Sequence, residues 1–263
     1  MKTKNLSVLA VLFFFALISI PASLSGAEIG KSVQITFLGH AAFKLVSPQG
    51  VTILIDPFLK NNPKTPPALK EVEKGDFILV THGHGDHLGD ALDIAQKTNA
   101  SVVAMAELGG YLTKKGVKSP VRMNKGGSYT AKGIRITMVN GFHSSSVVEG
   151  DQMIYTGEPA GFVIRFENGF TVYHAGDTAV FSDMKIIGDL YKPDLALLPI
   201  GSHFTMDPKE AAYACKLLQP KYVVPMHYGT WPVLTGTSEE FARLLKDQPG
   251  VKLIVMNPGS TIE

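Results

Sequence analysis

The sequence predicts an α/β domain, and three observations carry that prediction. Short apolar runs of strand length alternate with helical stretches from residue 33 onward, the order of crossover units on a sheet. Histidines and aspartates recur where those runs end, on the loops that usually carry function. No internal linker, low-complexity segment or literal repeat divides residues 28–263, which are enough to bury one sizeable core.

Residues 1–27 stand apart. Lys2 and Lys4 precede an apolar run over residues 6–20, then Pro21 and the small residues Ser25-Gly-Ala27. Positive, apolar, then small is the order of a secretory signal peptide, with cleavage expected after Ala27. A membrane anchor is the competing reading, but about fifteen apolar residues fall short of the roughly 20 that span a bilayer. No cysteine follows the run, so lipid attachment is not expected. The expectation is an exported protein, periplasmic or secreted, with no stable membrane anchor after cleavage. Without Lys2 and Lys4 the basic and acidic side chains balance, which argues against a nucleic-acid patch or a polybasic membrane surface. Cys215 lies among Ala211, Ala212, Ala214, Leu217 and Leu218, where it reads as a small buried hydrophobe; as the one cysteine it forms no internal disulfide.

Three β-type runs open the domain: Val33-Gln-Ile-Thr-Phe-Leu38, Ala42-Phe-Lys-Leu-Val46 and Val51-Thr-Ile-Leu-Ile55. The third ends at Asp56-Pro57, and an acid there either belongs to a site at that sheet edge or caps its own turn. His40, in the first turn, supports a site from behind or is a plain turn residue. Residues 60–75 carry three prolines and no period, an irregular loop.

The apolar run Phe77-Ile-Leu-Val80 then reads as a buried strand, and Thr81-His-Gly-His-Gly-Asp-His87 follows it. His82, His84, Asp86 and His87 place three imidazoles and a carboxylate within six residues, in a chain with eight histidines. Imidazole nitrogens and carboxylate oxygens suit zinc and similar divalent ions, and the interleaved glycines let the loop fold tightly. The ligands sit on a loop, because the spacing is not that of a helix-borne His-Glu-x-x-His site. A helix is expected from Leu88, with Ala91, Leu92 and Ala95 on its apolar side.

Further along, 101–104 reads as a strand, 107–115 as a helix, and 134–139 as a strand that stops at Gly141-Phe-His143. The Ser/Gly-rich stretch 144–161 is expected to be a loop walling the pocket. Residues 162–166 and 170–173, joined by Glu167-Asn-Gly169, form a hairpin leading into His174-Ala-Gly-Asp177. Helices near 181–190, over 208–218 and over 238–246 alternate with strands at 195–198, 222–225 and 251–256. His203 and His227 lie after two of these strands. His174 is read as bonding a neighbouring ligand or backbone group rather than a metal, and His203 as a candidate substrate contact or proton donor. Trp231 and Tyr228 either line the pocket or pack the core.

The order His-x-His-x-Asp-His, then His143, Gly176-Asp-Thr178 and His227, resembles the metallo-β-lactamase superfamily, which implies a four-layer αβ/βα sandwich. Ile55-Asp-Pro-Phe58, Thr156-Gly-Glu-Pro-Ala-Gly161, His174-Ala-Gly-Asp-Thr-Ala-Val-Phe-Ser-Asp-Met184, Phe204-Thr-Met206 and Pro225-Met-His-Tyr228 resemble a branch of metal-dependent hydrolases. That branch is similar to ascorbate-6-phosphate lactonases and, more distantly, to N-acylphosphatidylethanolamine phospholipases D. The resemblance implies one metal on His82, His84 and His143, a second on Asp86, His87 and His227, and Asp177 bridging both.

Two divalent ions, zinc first with manganese, iron or nickel as alternatives, would share a hydroxide of lowered pKa. Asp86 would coordinate, orient that hydroxide, or do both, and Asp56 and His40 would orient ligands. The function so implied is hydrolysis of an ester, lactone or phosphodiester bond in a small-molecule substrate, in a chain whose oligomeric state is left open, homo-oligomer included. An iron-dependent oxidoreductase and a non-catalytic metal-binding protein are the alternatives. The place of Asp177, where dinuclear β-lactamases usually carry cysteine, puts β-lactam hydrolysis low.

Overall fold

A computed structural model describes residues 29, 32–246, 248 and 250–263. The expected signal peptide, residues 1–27, lies outside them. In chain order the elements are β1 (Gln34–Gly39), β2 (Ala42–Val46), β3 (Thr52–Ile55), β4 (Phe77–Val80), α1 (Gly85–Leu88), α2 (Ala91–Thr98), β5 (Ser101–Met105), α3 (Ala106–Lys114) and β6 (Val121–Met123). There follow β7 (Ser128–Ala131), β8 (Ile134–Asn140), β9 (Ser146–Glu149), β10 (Gln152–Tyr155), β11 (Ala160–Arg165) and β12 (Thr171–His174). The last are α4 (Met184–Tyr191), β13 (Leu195–Pro199), α5 (Pro208–Leu218), β14 (Tyr222–Met226), α6 (Ser238–Leu245), β15 (Lys252–Leu253) and β16 (Thr261–Ile262).

Two seven-stranded sheets form, ordered β16-β1-β2-β3-β4-β5-β6 and β15-β14-β13-β12-β11-β8-β7. β3 through β6 run parallel, as do β12 through β15, and the remaining pairs are antiparallel. Continuous apolar strands such as β4, buried throughout, need cover on both faces, and they have it. The period-two alternation of the second sheet decides the layering. Leu195 and Leu197 join the core shared with the first sheet, while Ala196 and Leu198 join the core beneath α4, α5 and α6. With α2 and α3 contributing Ile94, Leu108 and Leu112 to the shared core, the order is helix, sheet, sheet, helix: a four-layer αβ/βα sandwich.

The two halves are built alike although their sequences are not. Asp76 bonds Thr52 through both its backbone N–H (2.8 Å) and its carboxylate (2.8 Å), and Asp194 bonds Thr171 in the same two ways (2.8 and 3.0 Å). Turns 47–50 and 166–169 share one hydrogen-bond pattern, closed by Gly50 at φ 80° and Gly169 at φ 84°, where a side chain would be strained. α5 starts on a capping box between Asp207 and Glu210 with Pro208 in its first turn. The ends of the domain meet: the Ile29 N–H donates to the Glu263 carbonyl (2.6 Å), beside the β1–β16 pairing.

Several expectations need correction. The stretch 144–161 is not all loop, because Ser-Val-Val-Glu and Gln-Met-Ile-Tyr pair as the β9–β10 hairpin. The helix expected from Leu88 is two helices. Gly89, at φ 43°, passes so close to Pro57 and Phe58 that a Cβ would lie 2.5 Å from the Phe58 Cα, and the chain turns there. Only Lys252 and Leu253 of 251–256 pair, and β6, β7 and β16 are strands not anticipated. Among the described residues no helix is long and apolar enough to cross a membrane.

Candidate metal centre

The site lies where strands of both sheets end. β4 delivers His82 and His84, and the single turn of α1 carries Asp86 and His87. From the second sheet, β8 leads to His143, β12 to Asp177 and β14 to His227. Three residues beside strand ends adopt left-handed backbone although none is glycine: His40 (φ 59°), Asp56 (φ 44°) and His227 (φ 56°). Such a conformation costs about 1–2 kcal/mol each, and strain of this kind concentrates at functional sites.

His82, His84 and His143 bring ring nitrogens within 4.8 Å of one another, and His82, His87 and Asp177 bring two ring nitrogens and a carboxylate oxygen equally close. A further set joins His40, Asp86, His87 and His227. Asp177 lies between the groups: its Oδ1 is 3.2 Å from His87 Nε2, and its Oδ2 is 3.1 Å from His227 Nε2 and 3.6 Å from His143 Nε2. All seven residues predicted as ligands therefore converge. His203 does not join them. It is exposed, with its ring edge-on to Phe204 at 4.4 Å, and it makes no hydrogen bond or ion pair with a cluster side chain.

Hydrogen bonds around the cluster determine the ring tautomers. The Thr81 hydroxyl donates to Asp56 Oδ2 (2.7 Å), so it accepts from His82 Nδ1 (3.0 Å), and His82 Nε2 is left as a lone pair facing the cluster. His87 Nδ1 donates to Asp56 Oδ2 (2.8 Å), which turns the His87 Nε2 lone pair the same way. This ligand-orienting use of a buried carboxylate is what a metal site requires. His40 differs. Its Nε2 lies 3.0 Å from Asp86 Oδ2, and an ionised carboxylate only accepts, so that nitrogen carries a proton. Nδ1 accepts from Thr230 Oγ1 (2.9 Å). Despite its place in the cluster, His40 therefore holds Asp86 rather than a cation. His174 lies outside the cluster: Nε2 donates to the Ala41 carbonyl (2.9 Å) and Nδ1 accepts from the Gly176 N–H (3.1 Å).

The donor set fits a cation on one observation above all. His87 Nε2, Asp177 Oδ1 and both His227 ring nitrogens are buried with no hydrogen-bond partner. His87 Nε2 with Asp177 Oδ1 (3.2 Å) and His227 Nε2 with Asp177 Oδ2 (3.1 Å) lie close enough to pair but are misaligned for hydrogen bonds. Leaving such groups buried without partners costs about 1–3 kcal/mol apiece, a cost that a bound cation removes.

In the absence of a cation the charges settle otherwise. Burial pulls the His87 imidazole down, but Asp177, Asp56 and Asp86 outweigh it and hold its pKa well above the usual range. His227 is likewise opposed by burial and raised to about 9, chiefly by Asp177. Burial alone would raise Asp177 and Asp86, yet the facing imidazoles, His227 and His87 for Asp177 and His87 first for Asp86, hold both below the carboxylate range. Burial dominates at His82, pushed well down, and at His40, lowered to about 4.

Sequence reasoning did not single out Thr81, Ser145, Thr156 or Thr230. Ser145 Oγ accepts from the Gly83 N–H (3.1 Å) and bonds Thr156 Oγ1 (2.9 Å), tying the base of the β9–β10 hairpin to the loop that carries His82 and His84. Trp231 is a site residue, its ring 4.7 Å from that of His40, whereas Tyr228 packs against the core under α5 and α6.

A four-layer sandwich with histidines and aspartates from both sheets converging at its strand ends is the metallo-β-lactamase fold. A family model described as Beta-lactamase superfamily domain matches residues 51–228, and the chain belongs to this superfamily, in the family of UPF0173 metal-dependent hydrolases. It is 52% identical over 216 residues to a UPF0173 metal-dependent hydrolase of Koribacter versatilis, covering 82% of this chain and 93% of the relative. One from Rubrobacter xylanophilus is 53% identical over 237 residues, covering 89% and 98%. Among solved structures it is similar to Igni18, a novel metallo hydrolase from Ignicoccus hospitalis, with TM-score 0.78, 40% identity and coverage of 88% of this chain and 97% of that one.

Proposed function

We propose that the protein is a dinuclear hydrolase that cleaves an ester, lactone or phosphodiester bond of a small substrate. The observation that carries the reading is that Asp177 lies between two groups of ring nitrogens, with its own Oδ1, His87 Nε2 and His227 Nε2 buried and without hydrogen-bond partners. His82, His84 and His143 would hold one ion, Asp86, His87 and His227 a second, and Asp177 would bridge them, with zinc the first choice and manganese, iron or nickel the others. When bound, such ions lower the pKa of a coordinated water and polarise the oxygen of the bond under attack.

The chain's own residues supply the rest. Asp56 and Thr81 fix the tautomers of His87 and His82, and His40 fixes the Asp86 carboxylate at the edge of the cluster, where it is 26% exposed. We also propose export through residues 1–27; amino-terminal sequencing of the protein from cell fractions should begin at Glu28.

The test is turnover of bis(p-nitrophenyl) phosphate and p-nitrophenyl acetate by protein loaded with zinc or manganese, beside Asp177→Ala. The expected result is metal-dependent cleavage of at least one substrate. Its loss in the variant should exceed the 10–100-fold that orienting partners of a metal site cost. Inactivity toward both substrates in protein shown to hold two ions would overturn the reading.

A further inference from the structure

We propose that this site takes substrates in which the group beside the scissile bond is an uncharged aryl or alkyl moiety; the proposal rests on the hydrolase reading above and names its substrate class. Two independent observations carry it.

The first is an apolar ring around the cluster. Phe142 directly precedes His143 and is 64% exposed; its ring meets that of Phe181 at 6.2 Å. Phe204 is 52% exposed on a loop whose Met206 N–H donates to the Thr178 carbonyl (3.1 Å), while the Phe142 N–H donates to the Thr178 hydroxyl (2.9 Å). These aromatics therefore gather around the residue that follows Asp177. Across the cluster, Trp231 and Phe58 flank His40 at 4.7 and 6.2 Å, with Val233 39% exposed beyond them. The Gly236 N–H donates to the Gly201 carbonyl (3.3 Å), joining the loop of Trp231 to that of Phe204 and closing the ring. Apolar side chains grouped in water around a polar cluster mark a surface that is covered in use.

The second observation is charge. In a chain with 18% charged residues, the ligand-bearing and flanking stretches 141–148, 178–182, 199–206 and 228–238 contain no Asp, Glu, Lys or Arg beyond the ligands themselves. Among the described residues, no Lys or Arg forms an ion pair with a cluster carboxylate. A substrate carrying a sugar phosphate or an ammonium group next to the reacting bond would meet no opposite charge on these loops, and would desolvate against aromatic faces.

Trp231, the single tryptophan of the chain, reports on this ring directly. Its fluorescence in the metal-loaded protein is titrated with acetamide, N-butylacetamide and N-hexylacetamide, and with N-(6-aminohexyl)acetamide as the charged counterpart. The dissociation constant is expected to fall about threefold to fourfold for each methylene buried, and the terminal amine to bind more weakly than N-hexylacetamide. In Phe142→Ser/Phe204→Ser the dependence on chain length should flatten while metal content by elemental analysis stays at the parent level, and Phe142→Leu should retain the slope. A flat series in the parent, or tighter binding of the amine, would overturn the proposal. The titration needs no turnover. Length-dependent binding without hydrolysis would count against the hydrolase reading and leave the apolar subsite standing; hydrolysis with flat binding would do the reverse.

Discussion

Asp56 shows what a single buried carboxylate does here. It is wholly buried and accepts from the Thr81 N–H, the Thr81 hydroxyl and His87 Nδ1. Asp56→Ala would leave those donors without partners in the core, a loss of about 3–5 kcal/mol by urea unfolding. It should also weaken metal binding about 10–100-fold in a competition titration, because His87 loses its orientation.

The same residues set a pH optimum for the metal-free chain. His227 and His87 have raised pKa values, so their stabilisation is complete below the ordinary histidine value of 6.5 and is lost as pH climbs through about 9 at His227. His40 and His82 are lowered and favour the fold only while neutral, so stability also falls as pH drops from 6.5 toward 4 at His40. Thermal unfolding of metal-free protein should therefore peak near pH 6.5. Loading with zinc should raise the alkaline side most, because cations and protons compete for the same nitrogens. At this scale the sequence was most informative where neighbours in sequence act together: His-x-His-x-Asp-His announces its chemistry locally. It was least informative for Thr230, because the bond that gives this residue its role joins side chains 190 positions apart.

Among the elements, the loop between β4 and α1 is the most tightly constrained. A Cβ on Gly83 would lie 2.3 Å from Thr156 Oγ1 and 3.1 Å from the Ser146 carbonyl carbon. Gly83→Ala therefore forces the loop away from the base of the β9–β10 hairpin. The expected cost is about 1–3 kcal/mol in stability with reduced affinity for the ion on His82 and His84, measured by calorimetric titration. That hairpin also marks the limit of pattern reading. Ser-Val-Val-Glu and Gln-Met-Ile-Tyr do not alternate with period two, Ser and Gly around them read as loop, and among the described residues no other strand pairs with the hairpin to strengthen the signal. α5, with its capping box and Pro208, was legible to the residue because its boundaries are written in local chemistry. The break at Gly89 was not, because it answers to the backbone of Pro57 and Phe58, distant in sequence.

At the scale of the whole molecule, strand–helix alternation foretold the α/β class, while the four layers came through the resemblance and through which side of each strand meets which core. The likeness of the halves is legible in the sequence as order, each opening with strands and then alternating strand with helix, while its detail resides in backbone pairing, at Asp76 with Thr52 and Asp194 with Thr171, and not in repeated residues. Their shared core draws side chains from both sheets, Leu54 and Leu79 with Ile136 and Phe162, so the two halves are joined through a common interior. Metal-free protein should unfold in urea in one transition, with Trp231 fluorescence and far-ultraviolet circular dichroism coinciding; two separated midpoints would show otherwise.

The bond between Ile29 and Glu263 makes the described fold nearly a ring. A gene rewired to join those ends through a few glycines, and opened instead at the exposed Gly150 tip of the β9–β10 hairpin, should specify the same molecule, with its metal ligands in place and its first and last residues exchanged for new ones.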